Sequence, residues 1–559
     1  MDFVRPYRRT GTLNDVERWK LARHPLDVAD AVIERYSKLG PGAIAEVEGE
    51  PERLKWVGIY PQVQGGDAFM LRVKVPGGLL TARQAVTIGE VACELARGPE
   101  PHPLFGDAYC DITTRQDVQL HWVRIEDVPE IWRRLAEAGL TTVQACGDSA
   151  RNVLCCPVSG VDAEEVIEAY PIAREVSDWF TGNREYANLP RKFKISITGC
   201  LDDCAQAEIN DIGLWPARSA GGDLGFNVLA GGGLSDGPRM ASDIDTFVRP
   251  DQVVEITRAI AQTWGELGNR ENRGLSRMRY LVQELGAEGF RTEVAARAGF
   301  ALEPAGEGLT RRYRGDHLGV HPQKQPGLHY VGCNVTVGRL TGSELAEAGR
   351  LASTYGDGTI RLATDQNLVL TGVAGEQLPG LLDEDLLRRR SPSPRPFERG
   401  AVACTGTEFC RFAIVETKER MVRIAQALDR RFGDRVAGGE AEVVRIHLSG
   451  CSASCAQPQI ADIGLRGDTA HLGDSIVEAL DVGVGGSLGT DAAFGDWIEG
   501  AMPADEVPDA LAALVGAYLD GRRGNEPLHS WVRRSSPSEA RVHLRPTAGA
   551  STSRNGNPS

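Results

Sequence analysis

The sequence predicts an α+β protein in which one large unit is written twice, the two copies related by a pseudo-twofold axis. Three observations carry that prediction. First, four pairs of segments match in the same order at offsets between 250 and 260 residues: "VPGGLLTARQ" from Val75 with "VTVGRLTGSE" from Val335, "TTRQDVQL" from Thr113 with "ATDQNLVL" from Ala363, "ITGCLDDCAQAEINDIGLWPA" from Ile197 with "LSGCSASCAQPQIADIGLRGD" from Leu448, and "FNVLAGGGLSD" from Phe226 with "DVGVGGSLGTD" from Asp481. That period is far too long for a solenoid. Second, 559 residues exceed what one core accommodates, since single cores stop growing near ~250–300 residues. Third, short β-branched and apolar runs alternate with helix-length amphipathic ones in both copies.

Residues 1–140 hold an N-terminal arm, a strand ("FMLRVKV"), a helix ("TARQAVTIGEVACELA"), a second strand ("DAYCDITTRQDVQLHWV") and a helix ("VPEIWRRLAEAGL"), a βαβ-like unit. Residues 141–302 form a further α+β unit around "FKISITG" and the long helix "PDQVVEITRAIAQTWGELG". The second copy repeats the order. A linker at 303–325 leads to "HYVGCNVTV", "GSELAEAGRLASTY", "TIRLATDQNLVLTGV" and "GLLDEDLL", closing that part at 385. A second linker at 387–398, around "RRRSPSPRP", opens the 386–534 unit with its strand "VRIHLSG" and helix "DEVPDALAALVGAYLDG". Residues 535–559 are polar and rich in Pro and Ser, a composition that predicts a disordered tail.

The net charge of −15 excludes nonspecific nucleic-acid binding, which needs a basic footprint. The opening "MDFVRPYRRTGTLNDVERWK" has no apolar core of a signal peptide, and no run of about 18 apolar residues predicts a membrane span. The expectation is a cytoplasmic monomer. Twelve cysteines in a reducing compartment point to metal or catalysis rather than disulfides.

Four of those cysteines form a pattern. Cys404 and Cys410 lie in "ACTGTEFCRF", Cys451 and Cys455 in "HLSGCSASCAQP". Thiolates favour zinc or iron–sulfur clusters. Structural zinc usually takes C-x2-C knuckles, whereas these wider spacings suit a cubane-like cluster. The flanking Gly, Ser and Thr leave room for it and bring N–H groups to its sulfurs. Buried structural thiols and a zinc site are the competing readings. Cys200 and Cys204, the first-copy counterparts of Cys451 and Cys455, have only Cys155 and Cys156 upstream and read as a duplicate that no longer completes a cluster.

Cations gather elsewhere: Arg72 and Lys74 in "MLRVKVPGG", Arg115 in "ITTRQDVQLH", Arg151 in "GDSARNVLCC", and Arg191, Lys192 and Lys194 in "LPRKFKISI". Lys192 and Lys194 are two apart on a strand, so they share a face and repel unless an anion lies between them. Each cation alone reads as solvated surface; as a set in an acidic protein they point to an anionic ligand. In "NRENRGLSRMRYL", Arg270, Arg273 and Arg279 read as surface helix charge that could dock an acidic partner, and Arg277 as a partner for a cofactor carboxylate.

Together these motifs resemble the siroheme-dependent sulfite and nitrite reductase family over about residues 14–533. The resemblance implies ferredoxin-like half-domains (residues 1–140 and 303–385) plus two α/β domains that bind siroheme and cluster (141–302 and 386–534). It implies a [4Fe–4S] cluster on Cys404, Cys410, Cys451 and Cys455, with Cys455 also joined to the siroheme iron. It assigns the oxyanion to Arg72, Arg151, Lys192 and Lys194. Siroheme is assigned to Thr113, Arg115, Gln119, Gln366, Arg277 and the backbone N–H groups of Gly231, Gly232 and Gly233. Tyr60 and Cys146 match a covalently joined Tyr–Cys pair of a ferredoxin-dependent sulfite reductase subgroup. No flavin-binding segment is present and "GGGLSDG" lacks dinucleotide spacing, so reduced ferredoxin is the expected donor. Two lysines in "RKFK" resemble members that favour sulfite, so an assimilatory sulfite reductase is the expectation, with a ferredoxin-dependent nitrite reductase as the alternative. A related cobalamin-pathway monooxygenase and a non-catalytic electron carrier fit less well, because the oxyanion cations are retained.

Overall fold

The structure, a computed structural model, describes residues 12–63, 67–311 and 316–544. The chain divides into two compact units, residues 1–393 with 488–491, and residues 394–487 with 492–559.

In the first unit two five-stranded antiparallel sheets exchange a strand. Ile59–Pro61, Phe69–Val73, Val118–Val123 and Tyr109–Ile112 are completed by Arg339–Thr341 from the second copy. Gly319–Pro322, Leu328–Cys333, Leu368–Ala374 and Thr359–Leu362 are completed by Leu79–Thr81 from the first copy. Each exchanged strand runs into a helix with the same start. Thr81 and Gln84 form a capping box at Ala82–Leu95, and Thr341 and Glu344 form one at Gly342–Tyr355. The two helices meet at glycines: a Cβ on Gly89 would lie 2.3 Å from the Gly342 carbonyl oxygen, and one on Gly342 would lie 2.5 Å from that of Gly89. One apolar cluster, including Leu71, Ile88, Val331, Leu345 and Leu370, joins the two copies. The long runs read as single strands, "DAYCDITTRQDVQLHWV" and "TIRLATDQNLVLTGV", are hairpins. Their turns fall at "TTRQD" and "ATDQN", because Gln116 and Gln366 take left-handed backbone (φ 58 and 70) and reverse the chain.

A third sheet of the first unit runs Ser242–Val248, Leu224–Ala230, Ile212–Arg218, Phe193–Ile197, Ala150–Cys155. Its last three strands are parallel and the others antiparallel. The helices Ala169–Phe180, Val253–Leu267 and Met278–Ala295 supply its core. The second unit repeats the pattern. Ala401–Ala403, Ile446–Ser449 and Ile463–Leu472 are parallel, then Ser475–Val484 and Asp496–Pro503 antiparallel, with the helices Lys418–Ala437 and Val507–Gly521. The tail is not disordered throughout: Pro537–His543 is a helix whose start is capped by the Ser536 hydroxyl, a signal that its polar composition masked. Residues 545–559 lie outside the described residues. Among the described residues no helix is long and apolar enough to cross a membrane.

Candidate functional site: a cation basin and a thiol quartet

The first unit gathers the cations. On Phe69–Val73 burial alternates, so Met70 and Arg72 share the less buried face. Arg72 stands opposite Gln119, and its Nη2 donates to Gln119 Oε1 at 2.9 Å. The Tyr60 ring centroid lies 5.5 Å from the Arg72 guanidinium, and the buried Tyr60 hydroxyl has no hydrogen-bond partner among the described residues. Cys146 is a buried thiol.

The turn after Tyr109–Ile112 places Arg115. Thr113 Oγ1 accepts from the N–H groups of Arg115 (3.2 Å) and Asp117 (3.1 Å), so the hydroxyl assigned to siroheme shapes the turn. Arg115 then points inward, donating to Asn210 Oδ1 at 3.0 Å and the Asn152 carbonyl at 2.5 Å. Gln366, also assigned to siroheme, donates from Nε2 to the Ile112 carbonyl at 2.9 Å, while its first-copy counterpart Gln116 donates to that of Leu362 at 2.8 Å. These two reciprocal bonds tie the copies together.

Arg151 Nε donates to the Gly147 carbonyl at 2.8 Å. The Lys194 backbone N–H donates to Asp211 Oδ2 at 3.0 Å, and Arg277 Nη2 donates to both Asp211 oxygens at 3.0 and 3.1 Å. The glycine run works differently from expectation. Gly231 N–H donates to the Asp211 carbonyl and Gly233 N–H to that of Arg239, both at 2.9 Å. Glycine is needed at 232, where a Cβ would lie 2.5 Å from the Glu208 and Asn210 carbonyl oxygens; a Cβ at 233 would lie 2.9 Å from the end of the Arg277 side chain. The Gly231 and Gly233 N–H groups are thus taken by backbone carbonyls, and Arg277 packs closely against Gly233. Lys74 is buried and donates to Thr181 Oγ1 at 2.8 Å; burial pulls it down to about 8.

The electrostatics follow from this crowding. Burial pulls Lys194 well below its ordinary value, and Arg115, Lys192 and Arg277 push the same way against Asp211. Burial also takes Arg115 down to about 10. Asp117, 1% exposed, is pushed up to about 6 by burial although Arg72, Arg115 and Lys74 pull it down. Nε atoms of Arg115, Arg277 and Arg279 are buried without an acceptor among the described residues. Stripped cations with unsatisfied donors fit a polycarboxylate cofactor and a small anion.

Asp117, Asp211 and Asn210 were not among the sequence candidates. Asp211 had a signal: "DIG" recurs as Asp462 in the second copy, where the Arg445 N–H donates to Asp462 Oδ2 at 2.9 Å as Lys194 N–H does to Asp211. The arginines of the 270–279 run are engaged within the fold rather than standing free. Arg270 is buried and donates to Glu17 and Asn188, Arg273 pairs with Asp148 at 2.7 Å, and Arg279 donates to the Leu234 carbonyl at 2.7 Å. Arg270 fastens the N-terminal helix Asp15–Ala22 through Glu17.

The second unit carries the thiol quartet. Cys404 follows Ala401–Ala403, Cys410 ends the next loop, and Cys451 and Cys455 follow Ile446–Ser449. Gly450 N–H points at Cys404 Sγ at 3.1 Å. Burial, then the neighbouring Cys455 sulfur, pushes Cys404 up to about 12, while the N–H groups of Gly450 and Gly406 oppose the rise. Burial also raises Cys410, opposed by the N–H groups of Phe412 and Ala413. Backbone donors aimed at crowded sulfurs fit a thiolate-held [4Fe–4S] cluster, whose charge they stabilise.

Two family models match. The "Nitrite and sulphite reductase 4Fe-4S domain" matches residues 146–302 and 396–544, and the "Nitrite/Sulfite reductase ferredoxin-like half domain" matches 60–138 and 321–384. An "Assimilatory ferredoxin-dependent nitrite reductase" of Haloferax mediterranei is 40% identical over 551 residues, covering 95% of this chain and 93% of its own. A "Ferredoxin--nitrite reductase" of Synechococcus elongatus is 41% identical, covering 90% and 96%. The solved structure of the Mycobacterium tuberculosis NirA protein superposes with a TM-score of 0.87 at 31% identity, covering 95% and 98%.

Proposed function

Because the chain belongs to the nitrite and sulfite reductase family, with its siroheme and [4Fe–4S] cofactors, we propose that it is a ferredoxin-dependent nitrite reductase that forms ammonium. The observation that carries this reading is 40–41% identity across nine-tenths or more of the chain with proteins of that name. The same relatives overturn the expectation of a sulfite reductase. That expectation counted lysines as charges. Burial and three neighbouring cations pull Lys194 below its ordinary value.

When bound, the siroheme and cluster supply a ligand site on iron and the electrons. Cys404, Cys410, Cys451 and Cys455 would hold the cluster, and Arg115 and Arg277 would meet siroheme carboxylates. Nitrite takes up six electrons and eight protons to become ammonium and two waters, so proton supply is the protein's main task. Arg72 and Arg151 hold negative charge on the anion. An anion beside Lys194 draws a proton onto Nζ, and Lys194 and Lys192 then pass protons to the oxygens that leave as water. Asp117, pushed up to about 6 by burial, lies among Arg72, Arg115 and Lys74 of the same basin. Keeping four cluster thiolates reduced suits a cytosolic setting.

The test is steady-state turnover with reduced ferredoxin on one preparation. A kcat/KM for nitrite well above that for sulfite is expected; a preference for sulfite overturns the proposal.

A further inference from the structure

The first unit holds a second thiol cluster that the reductase chemistry does not use. The Sγ atoms of Cys156, Cys200 and Cys204 all lie within 4.8 Å of one another, with Cys200 and Cys204 at 3.7 Å. His317 Nε2 is 4.0 Å from Cys156 Sγ. All four residues are at most 3% exposed. Val158, Val161, Tyr330 and Val369 pack around the cysteines.

Strand register shows where this cluster comes from. Cys155 pairs with Ile197 in the first unit's parallel sheet, and Ala403 pairs with Leu448 in the second unit's. The residue after each is a cysteine, Cys156 and Cys404. Ile197 and Leu448 each lead three residues later into a C-x3-C pair, Cys200/Cys204 and Cys451/Cys455. Three of the four cluster ligands therefore have topological counterparts. The fourth, Cys410, has no cysteine counterpart; an imidazole from outside the duplicated loop, His317, stands 4.0 Å from Cys156 Sγ at the edge of the three-sulfur group. The first-copy pair is thus not a leftover without partners: its third thiol is Cys156 rather than a residue six positions from another cysteine.

We propose that Cys156, Cys200, Cys204 and His317 bind one structural zinc ion. A tetrahedral zinc with Zn–S bonds of about 2.3 Å places its sulfurs about 3.8 Å apart, close to the Cys200–Cys204 separation. Three thiolates and one imidazole are a zinc donor set. The Cys200 S–H points at the Asp202 carbonyl at 2.9 Å. Binding exchanges that proton and those of Cys156 and Cys204 for the dication; three protons pass to solvent and no electron moves. The ligands come from three segments: the end of Ala150–Cys155, the loop after Phe193–Ile197, and the residues just before Gly319–Pro322. The ion would staple the first α/β sheet to the start of the second ferredoxin-like sheet, within one unit.

The test is elemental analysis of holoenzyme purified without chelators from zinc-replete medium, with X-ray absorption at the zinc edge. One zinc per chain is expected alongside the cofactor iron, with three sulfurs at about 2.3 Å and one nitrogen at about 2.0–2.1 Å. C156S and H317A are expected to lose zinc at least ~10-fold more readily to a competing chelator while keeping cofactor iron and the siroheme spectrum. Zinc below a tenth per chain, an absorption edge without sulfur ligands, a Cys200–Cys204 disulfide in peptide mass spectra, or zinc held unchanged by both variants would each overturn the proposal. If a variant fails to fold, the zinc content and edge spectrum of the unaltered protein decide.

Discussion

Asp117→Asn isolates the electrostatics of the basin in one atom exchange. Asp117 is 1% exposed, accepts from the Val75 N–H at 3.3 Å, and has its ordinary value of 3.8 pushed up to about 6 by burial. The folded protein therefore holds a proton between pH 3.8 and about 6 that the unfolded chain has released. Stability falls as pH rises through that window and levels off above it. The displacement corresponds to about 3 kcal/mol, an upper bound for the charged carboxylate. Asparagine keeps the shape and the acceptor for Val75 but carries no titration. The variant should match the wild type below about pH 4 and exceed it by up to about 3 kcal/mol above pH 6, a rise of a few degrees in melting temperature. Parallel thermal melts of both holoenzymes from pH 4 to 8 read this as a difference curve. A flat difference curve, or one rising towards acid, would refute the assignment of a strained buried carboxylate.

Three further outcomes follow from named contacts. Arg339 is fully buried, meets both Asp111 oxygens at 2.7 and 3.0 Å and lies 4.3 Å from the Tyr109 ring centroid, so Arg339→Met takes the two-pronged cationic partner from a buried carboxylate that also meets His121; a loss of about 3–5 kcal/mol in urea unfolding is expected. Lys194→Ala should lower kcat for nitrite by about 10²–10⁴ with the siroheme absorbance retained, the size of a lost proton donor, whereas a change confined to KM would make Lys194 an anchor only. Cys410→Ala should abolish acid-labile sulfide, measured with iron content; a variant that keeps both would remove Cys410 from the ligand set.

The duplication, the C-x5-C and C-x3-C pattern, the helices after Thr81 and Thr341 and the cations of the basin were all legible in the linear sequence. Each depends on spacing within a few residues, or on repetition, and backbone geometry converts such spacing into structure without knowledge of the rest of the chain. The hairpin turns at Gln116 and Gln366 were missed because a non-glycine residue in left-handed backbone leaves little trace in composition. Strand exchange was invisible, since Leu79–Thr81 and Arg339–Thr341 pair with partners more than 200 residues away. Charge state was the least legible property. The number of lysines at 192 and 194 is written in the sequence, but whether Lys194 keeps its proton depends on burial and on Arg115 and Arg277. Arg270 and Arg273 looked like surface charge until Glu17 and Asp148 arrived from distant segments to pair with them, and Arg277, expected to meet a cofactor carboxylate, pairs with Asp211. Local pattern determined which chemistry this chain carries. Desolvation and long-range approach, which only the tertiary structure sets, decided which groups hold their charge and which cysteines meet His317.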